Sequence, residues 1–264
     1  MIDEGAESGN TTGPAPVVAL FSGLDPTGGA GIAADIIAVR DTGAYALPFL
    51  TANTVQGQNV KARFVPIDPT FLLDQIQAVF PSIQTESVKI GMIGTPAIFH
   101  LILNAVTRFF PGIPVVLDPV ASASSGGCLV SPASRDAILA AGSQIRLLTP
   151  NLLELEWLAG HAIRHSDDLD RALAIVGRHG FQAVLVKGGH GEGDPEDKLF
   201  IDRKQVEAWK GRRVPVSPRG TGCRLAAFIA GKLASGDDLI HAVHAAYQYV
   251  QCYILGSPFT GCTR

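Results

Sequence analysis

From residue 17 onward, short apolar, β-branched runs alternate with amphipathic stretches, a pattern that predicts a largely parallel sheet covered by helices on both faces. The first run, residues 17–21, enters a Gly-rich turn over 22–31 and then a helix from Ile32 to about Asp41, with Ile32, Ile36, Ile37 and Val39 on or near one face. Further strands are expected at 44–50, 87–90, 114–117, 145–148 and 183–186. Intervening helices are expected near 69–80, 96–110, 132–141, 152–158 and 167–179. The segment 198–214 breaks this rhythm: two short runs, 199–201 and 206–209, flank charged turn residues and predict an antiparallel hairpin. Two closing helices, 222–233 and 237–253, are joined by the short connection Ala234-Ser235-Gly236. The alternation runs without a linker or internal repeat. Residues 17–264 therefore read as one α/β domain behind a flexible, polar, acidic segment at 1–16.

Composition narrows the class. Of 264 residues, 47% are hydrophobic and 17% charged, which suits a folded globular chain and excludes disorder as the main state. Twenty-one Lys and Arg against 24 Asp and Glu give a net charge of −3, so no global positive field draws nucleic acid or an anionic membrane. Neither partner is expected. No apolar run approaches the roughly 18–20 residues of a membrane span. Cys128, Cys223, Cys252 and Cys262 show no Cys-x-x-Cys spacing, and the polar start is unlike a leader, so a reducing cytoplasm is the expected compartment.

Four segments carry candidate chemistry. Asp25-Pro26-Thr27-Gly28-Gly29-Ala30-Gly31 lies between a strand and a helix, where clustered glycines let backbone amides approach a ligand. It contains a loose dinucleotide fingerprint, Gly29-x-Gly31-x-x-Ala34. The ribose-binding acid that fingerprint needs is missing from residues 42–54, which argues against a nicotinamide enzyme. Thr149-Pro150-Asn151-Leu152-Leu153-Glu154 reads first as a capping box, Asn151 with Glu154. Gly220-Thr221-Gly222-Cys223 opens an apolar helix and exposes several amides in one direction, an anion hole for a phosphate or for charge developing in phosphoryl transfer. Cys223 would sit in the first turn, where the helix field favours thiolate and a role as proton acceptor at neutral pH; its bland reading is a small buried hydrophobe. In the strand end Val184-Leu185-Val186-Lys187-Gly188-Gly189-His190, Lys187 is placed to neutralise a phosphate. Two features read as empty or open: His241 and His244 lack a completing metal ligand, and the Ser-rich stretch 121–127 is either a plain loop or a lid.

Taken in order, these segments resemble the ribokinase superfamily, and within it the hydroxymethylpyrimidine and phosphomethylpyrimidine kinases of thiamine biosynthesis. The matching stretches are residues 23–32 with Asp35, Val88-Lys89-Ile90-Gly91-Met92, Val116-Leu117-Asp118-Pro119-Val120, residues 149–154, Lys187 to His190, and Gly220 to Cys223. The resemblance implies a single α/β domain that uses ATP and Mg²⁺ to phosphorylate a small pyrimidine alcohol or its monophosphate, often as a homodimer. It implies that Gly23, Asp25 and Gln56 contact the pyrimidine and that Gly220, Thr221 and Gly222 form the anion hole with Cys223 beside it. Asp118, Asn151, Glu154 and Lys187 would surround the nucleotide phosphates, Asp118 and Glu154 holding Mg²⁺ through phosphate and water. Four departures stand out: Ser124 in place of a lid Lys, Arg219 in place of the His before the anion hole, Gly57-Gln58 in place of Asn-Thr, and an atypical carboxyl end. Loss of the lid Lys makes phosphorylation of the free alcohol the expected main step, with Arg219 a possible compensating charge. The competing expectations are a pyridoxal kinase and a weakly active pyrimidine-binding relative.

Overall fold

The structure, a computed structural model, describes residues 13–57, 60–121, 132–189, 193–214 and 218–256. The expected lid beyond Ala121, residues 1–12 of the expected leading segment, and the chain end beyond Gly256 lie outside them.

The first apolar run becomes β1 (Val17–Leu24), and the turn after it opens α1 (Gly31–Asp41). The chain continues through β2 (Tyr45–Gly57), β3 (Val60–Pro66), α2 (Pro69–Val79), β4 (Ser87–Ile90), α3 (Pro96–Phe109), β5 (Val115–Leu117) and α4 (Pro132–Ala140). After a 3₁₀ turn at Gly142–Gln144 come β6 (Leu147–Leu148), α5 (Leu152–Ala159), α6 (Ser166–Arg178), β7 (Ala183–Val186), β8 (Glu196–Ile201), β9 (Lys204–Lys210), α7 (Thr221–Ala234) and α8 (Leu239–Ile254). Local chemistry explains the helix starts. Asp68 and Thr95 each accept a backbone N–H at the first turn, ahead of Pro69 and Pro96, whose fixed φ suits the first helical position.

The nine strands form one sheet in the order β3-β2-β1-β4-β5-β6-β7-β8-β9. In that order the six from β2 through β7 are parallel, while β3 pairs antiparallel with β2 at one edge and the β8–β9 hairpin pairs antiparallel with β7 at the other. Alternation along β1 splits its side chains between two cores. Ala19 and Phe21 pack with apolar residues of α2 to α6, whereas Val18 and Leu20 pack with α1, α7 and α8. Both faces of the parallel strands are thus covered, which is why they read as continuous apolar runs. The chain leaves β1 toward β2 on one side and returns through β4 on the other. That reversal creates a crevice at the strands' carboxyl ends, the usual ligand position in open α/β sheets.

Three differences from the sequence reading matter. β2 continues past residue 50 to Gly57 and turns back as β3, a hairpin the reading omitted although Lys61-Ala62-Arg63-Phe64 alternates as a strand should. Pro48 inside β2 masked its length, because proline usually marks a strand boundary. β6 keeps only Leu147 and Leu148, since Ile145 closes the 3₁₀ turn. The 198–214 hairpin forms as expected, but Asp202 and Arg203 turn it in the left-handed region without a glycine.

Candidate active site

The carboxyl ends of β1, β4, β5, β6 and β7 and the start of α7 enclose a cavity of about 490 Å³. Gly23, Gln56, Asp118, Asn151, Glu154, Lys187, Gly220, Thr221, Gly222 and Cys223 all line it. The motifs that are far apart in the chain therefore converge, as the sequence reading expected.

Two glycines allow this convergence. Gly31 has φ +61°, and a Cβ there would fall 2.2 Å from the Gly23 carbonyl oxygen. Gly220 has φ +77°, and its Cβ would fall 2.1 Å from the Gly29 carbonyl oxygen. The two glycine loops thus lie backbone against backbone, and any side chain would separate them. Beyond Gly220, the first amides of α7 lack intrahelical acceptors and carry the positive end of the helix dipole. A Cβ at Gly222 would sit 3.1 Å from Lys187 Nζ and 3.8 Å from Asp118 Oδ2, which places ammonium, carboxylate and helix start at one point.

Lys187 leaves the end of β7 and donates to Asp118 Oδ1 at 2.7 Å, with Glu154 Oε2 3.8 Å away. Asp118 also accepts from the Thr149 hydroxyl at 3.3 Å. Burial pulls the Lys187 ammonium down, but the Asp118 and Glu154 carboxylates outweigh it and hold the group above the ordinary lysine value. Burial holds the Glu154 carboxyl above its ordinary value, with Lys187 opposing and Asp118 adding to the shift. Asn151 and Glu154 form the expected capping box: Asn151 Oδ1 accepts from the Glu154 N–H at 2.9 Å, and Glu154 Oε2 accepts from the Asn151 N–H at 2.8 Å. Capping and a place in the cavity wall coexist in the same two residues.

The substrate end differs from the resemblance. Asp25, expected as a direct contact, is 2% exposed and is not among the residues that line the cavity. It accepts from the Thr27 amide and hydroxyl, and its Oδ2 lies 3.3 Å from Arg219. The Arg219 guanidinium also donates to Gln56 Oε1, while Gln56 Nε2 donates to the Thr54 hydroxyl at 3.0 Å. Arg219 therefore lines the cavity where Asp25 was expected to. Met92, from the matching stretch after β4, lines the cavity too, as do Asp197, Arg212, Tyr247 and Gln251, which were not singled out; α8, which supplies the last two, reads in sequence only as a closing helix.

Cys223 is half-buried as the third residue of α7, in its first turn. The surroundings of the thiol oppose the thiolate form that the helix start favours. Burial pushes the thiol up to about 11, Asp35 and Asp118 add to that, and Lys89 and the Gly31 N–H oppose it. The helix field is outweighed by loss of water. Among the described residues no group of three or more His, Cys, Asp or Glu could hold a metal ion. His241 pairs instead with Asp238, and His244 Nδ1 lies 2.8 Å from the Trp209 indole nitrogen.

Comparison with known proteins assigns the class and then the family. Pyridoxal kinase from Staphylococcus aureus, solved with pyridoxal, superposes with a TM-score of 0.84 over 95% of this chain and 91% of its own at 23% identity, which shows that the two share a fold. Residues 25–261 match the phosphomethylpyrimidine kinase family, and the chain belongs to it. A hydroxymethylpyrimidine/phosphomethylpyrimidine kinase from Rhizobium meliloti is 35% identical over 237 residues, 89% of this chain and 88% of that one. The solved phosphomethylpyrimidine kinase from Clostridium difficile is 29% identical, with a TM-score of 0.74 over 92% of this chain and 98% of its own.

Proposed function

We propose that the protein transfers the γ-phosphoryl group of ATP to the hydroxymethyl oxygen of 4-amino-5-hydroxymethyl-2-methylpyrimidine, and to the monophosphate so formed, in thiamine biosynthesis. The observation that carries this reading is the meeting of the α7 amides with Lys187 and Asp118 in the crevice, within a chain of the phosphomethylpyrimidine kinase family. Phosphoryl transfer needs positioning and charge stabilisation more than covalent chemistry, and helix amides beside a buried ammonium supply both.

The substrate lies toward Gly23, Gln56 and Arg219, and the triphosphate toward Lys187 and Gly220 to Gly222. The substrate oxygen forms its bond to the γ-phosphorus as the bond to the ADP oxygen breaks. Lys187 and the amides of Thr221, Gly222 and Cys223 hold the equatorial oxygens. In the first phosphorylation the hydroxyl proton passes to the Cys223 thiolate, the minor form at neutral pH. In the second, the attacking phosphate oxygen is already ionised and needs no base.

The residues also fit a magnesium ion. Asp118 and Glu154 both line the cavity beside Lys187. Two hard oxygen donors, completed by phosphates and water, are what Mg²⁺ takes in such sites. Bound there, it would neutralise charge on the β- and γ-phosphates.

Steady-state assays with ATP and, in turn, the pyrimidine alcohol, its monophosphate and pyridoxal test the reading. Turnover on both pyrimidines supports it. Preference for pyridoxal, or binding without turnover, sinks it.

A further inference from the structure

The closing helix α8 also reaches the phosphate end of the cavity from outside it. Tyr253, in the last turn of α8, is not among the residues that line the cavity, yet its hydroxyl donates to the Arg219 carbonyl oxygen at 3.0 Å. Its ring meets the same segment a second time, because the Arg224 guanidinium lies over it, 4.2 Å from the ring centroid. Arg224 is itself buried, and its N–H donates to the Gly220 carbonyl oxygen at 2.9 Å, the bond that closes the first turn of α7. One tyrosine thus grips the chain just before Gly220 and at the residue that bonds back to it.

Gly220 is where such a grip is needed. Its φ is +77°, and the Gly29 backbone leaves no room for a Cβ there. A residue without a Cβ has the widest choice of backbone torsions, so close approach of the two glycine loops and rigidity of the chain are in conflict at this position. The Arg219–Gly220 peptide is planar, and fixing its carbonyl oxygen therefore fixes the plane from which the chain enters α7. The amides of Thr221, Gly222 and Cys223 follow within three residues. A turn of that plane about the Gly220 torsions would swing them away from a phosphoryl group. Amides stabilise a transition state to the extent that they already stand in place when the charge develops.

We propose that Tyr253 is a positioning residue for phosphoryl transfer: its hydroxyl and ring hold the Arg219–Gly220 peptide and the first turn of α7, so that the amides of Thr221, Gly222 and Cys223 stay aimed at the transferring group. Tyr253 does this without touching substrate or nucleotide. The inference rests on the proposed kinase reading, in which those amides hold the equatorial oxygens. It also separates Tyr253 from Cys223. A proton acceptor serves only the first phosphorylation, whereas the amides serve both.

The test is Tyr253→Phe, which removes one oxygen and keeps the ring beside Arg224. Turnover should fall about tenfold on the pyrimidine alcohol and on its monophosphate alike, with KM for ATP and for both pyrimidines within about threefold. Hydrogen–deuterium exchange, read by mass spectrometry without ligand, should quicken in the peptide that carries residues 219–224 and stay unchanged in the rest of α7. Unchanged turnover, a loss that appears as a rise in KM, a loss confined to the alcohol, or unchanged exchange at 219–224 each overturns the proposal. A merely structural role would quicken exchange along the helix and would not spare KM. Wild-type protein inactive on both pyrimidines would sink the kinase reading and this inference with it. Active wild type beside an equally active Tyr253→Phe would sink this inference alone.

Discussion

At the scale of single residues, the chemistry turns on how far water is excluded. Cys223 sits at a helix N-terminus, a position that on its own favours thiolate, yet its thiol is held near 11 because burial dominates. The sign follows directly: the base form is gained as pH rises, and at pH 7 it is about one part in 10⁴. Turnover on the alcohol should therefore climb between pH 7 and 9 by roughly tenfold per unit instead of levelling at neutrality, as a pH–rate profile would reveal. Cys223→Ala should lower that turnover by about 10²-fold or more with little change in KM. The same variant should lose much less on the monophosphate, whose nucleophile is already ionised; equal losses would reduce Cys223 to packing. Arg219 governs the other end of the cavity. Replacing it with Gln removes the cation that bridges Asp25 and Gln56, and KM for the monophosphate should rise about tenfold. A charge-assisted contact to the substrate phosphate predicts a smaller rise for the neutral alcohol; equal rises would point to collapse of the Asp25–Gln56 wall. Every catalytic and binding candidate named from sequence except Asp25 lines the cavity, because each sits in a short motif at the end of a strand or the start of a helix. Their partners were not legible. Nothing local announces that Arg219 reaches back to Asp25 across nearly two hundred residues, or that Lys89 is buried rather than solvated.

At the scale of elements, boundaries were most legible where backbone groups find local partners. Asn151 with Glu154, and Asp68 and Thr95 ahead of prolines, fix helix starts through contacts a few residues long, and those starts read correctly. Strand lengths depend on neighbours instead. β2 reaches Gly57 because β3 pairs with its second half, and β6 is short because the 3₁₀ turn takes up the residues before it. The β8–β9 turn supplies a quantitative check. Asp202 and Arg203 hold φ of +49° and +66°, a conformation that costs a side-chain-bearing residue roughly 1 kcal/mol. Arg203→Gly relieves that strain far from the cavity and should raise stability by about 0.5–1 kcal/mol in urea unfolding, with activity unchanged. A loss of stability would show that the Arg203 side chain contributes packing that outweighs the strain.

For the whole molecule, the cavity is an assembly of loops from both ends of the chain, and a ligand that bridges them should stabilise the fold as a unit. ATP with Mg²⁺ at about 100 times its dissociation constant should add roughly 2.7 kcal/mol and raise Tm by several degrees. NAD at equal concentration should leave Tm unmoved; a larger shift with NAD would revive the dinucleotide reading of the Gly29–Gly31 turn.

The sequence by itself determined the α/β class, the run of strands and helices, the edge hairpin and the motifs that carry the chemistry, because those follow from periodicity, capping and turn residues acting over a few positions. Tertiary structure decided the β2–β3 hairpin, the pairing of Asp25 with Arg219, the upward shift of the Cys223 thiol and the burial of the Lys89–Asp35 pair. The physical reason is common to all four. Strand pairing and desolvation depend on which distant segments close over a group, and no window along the chain contains that information.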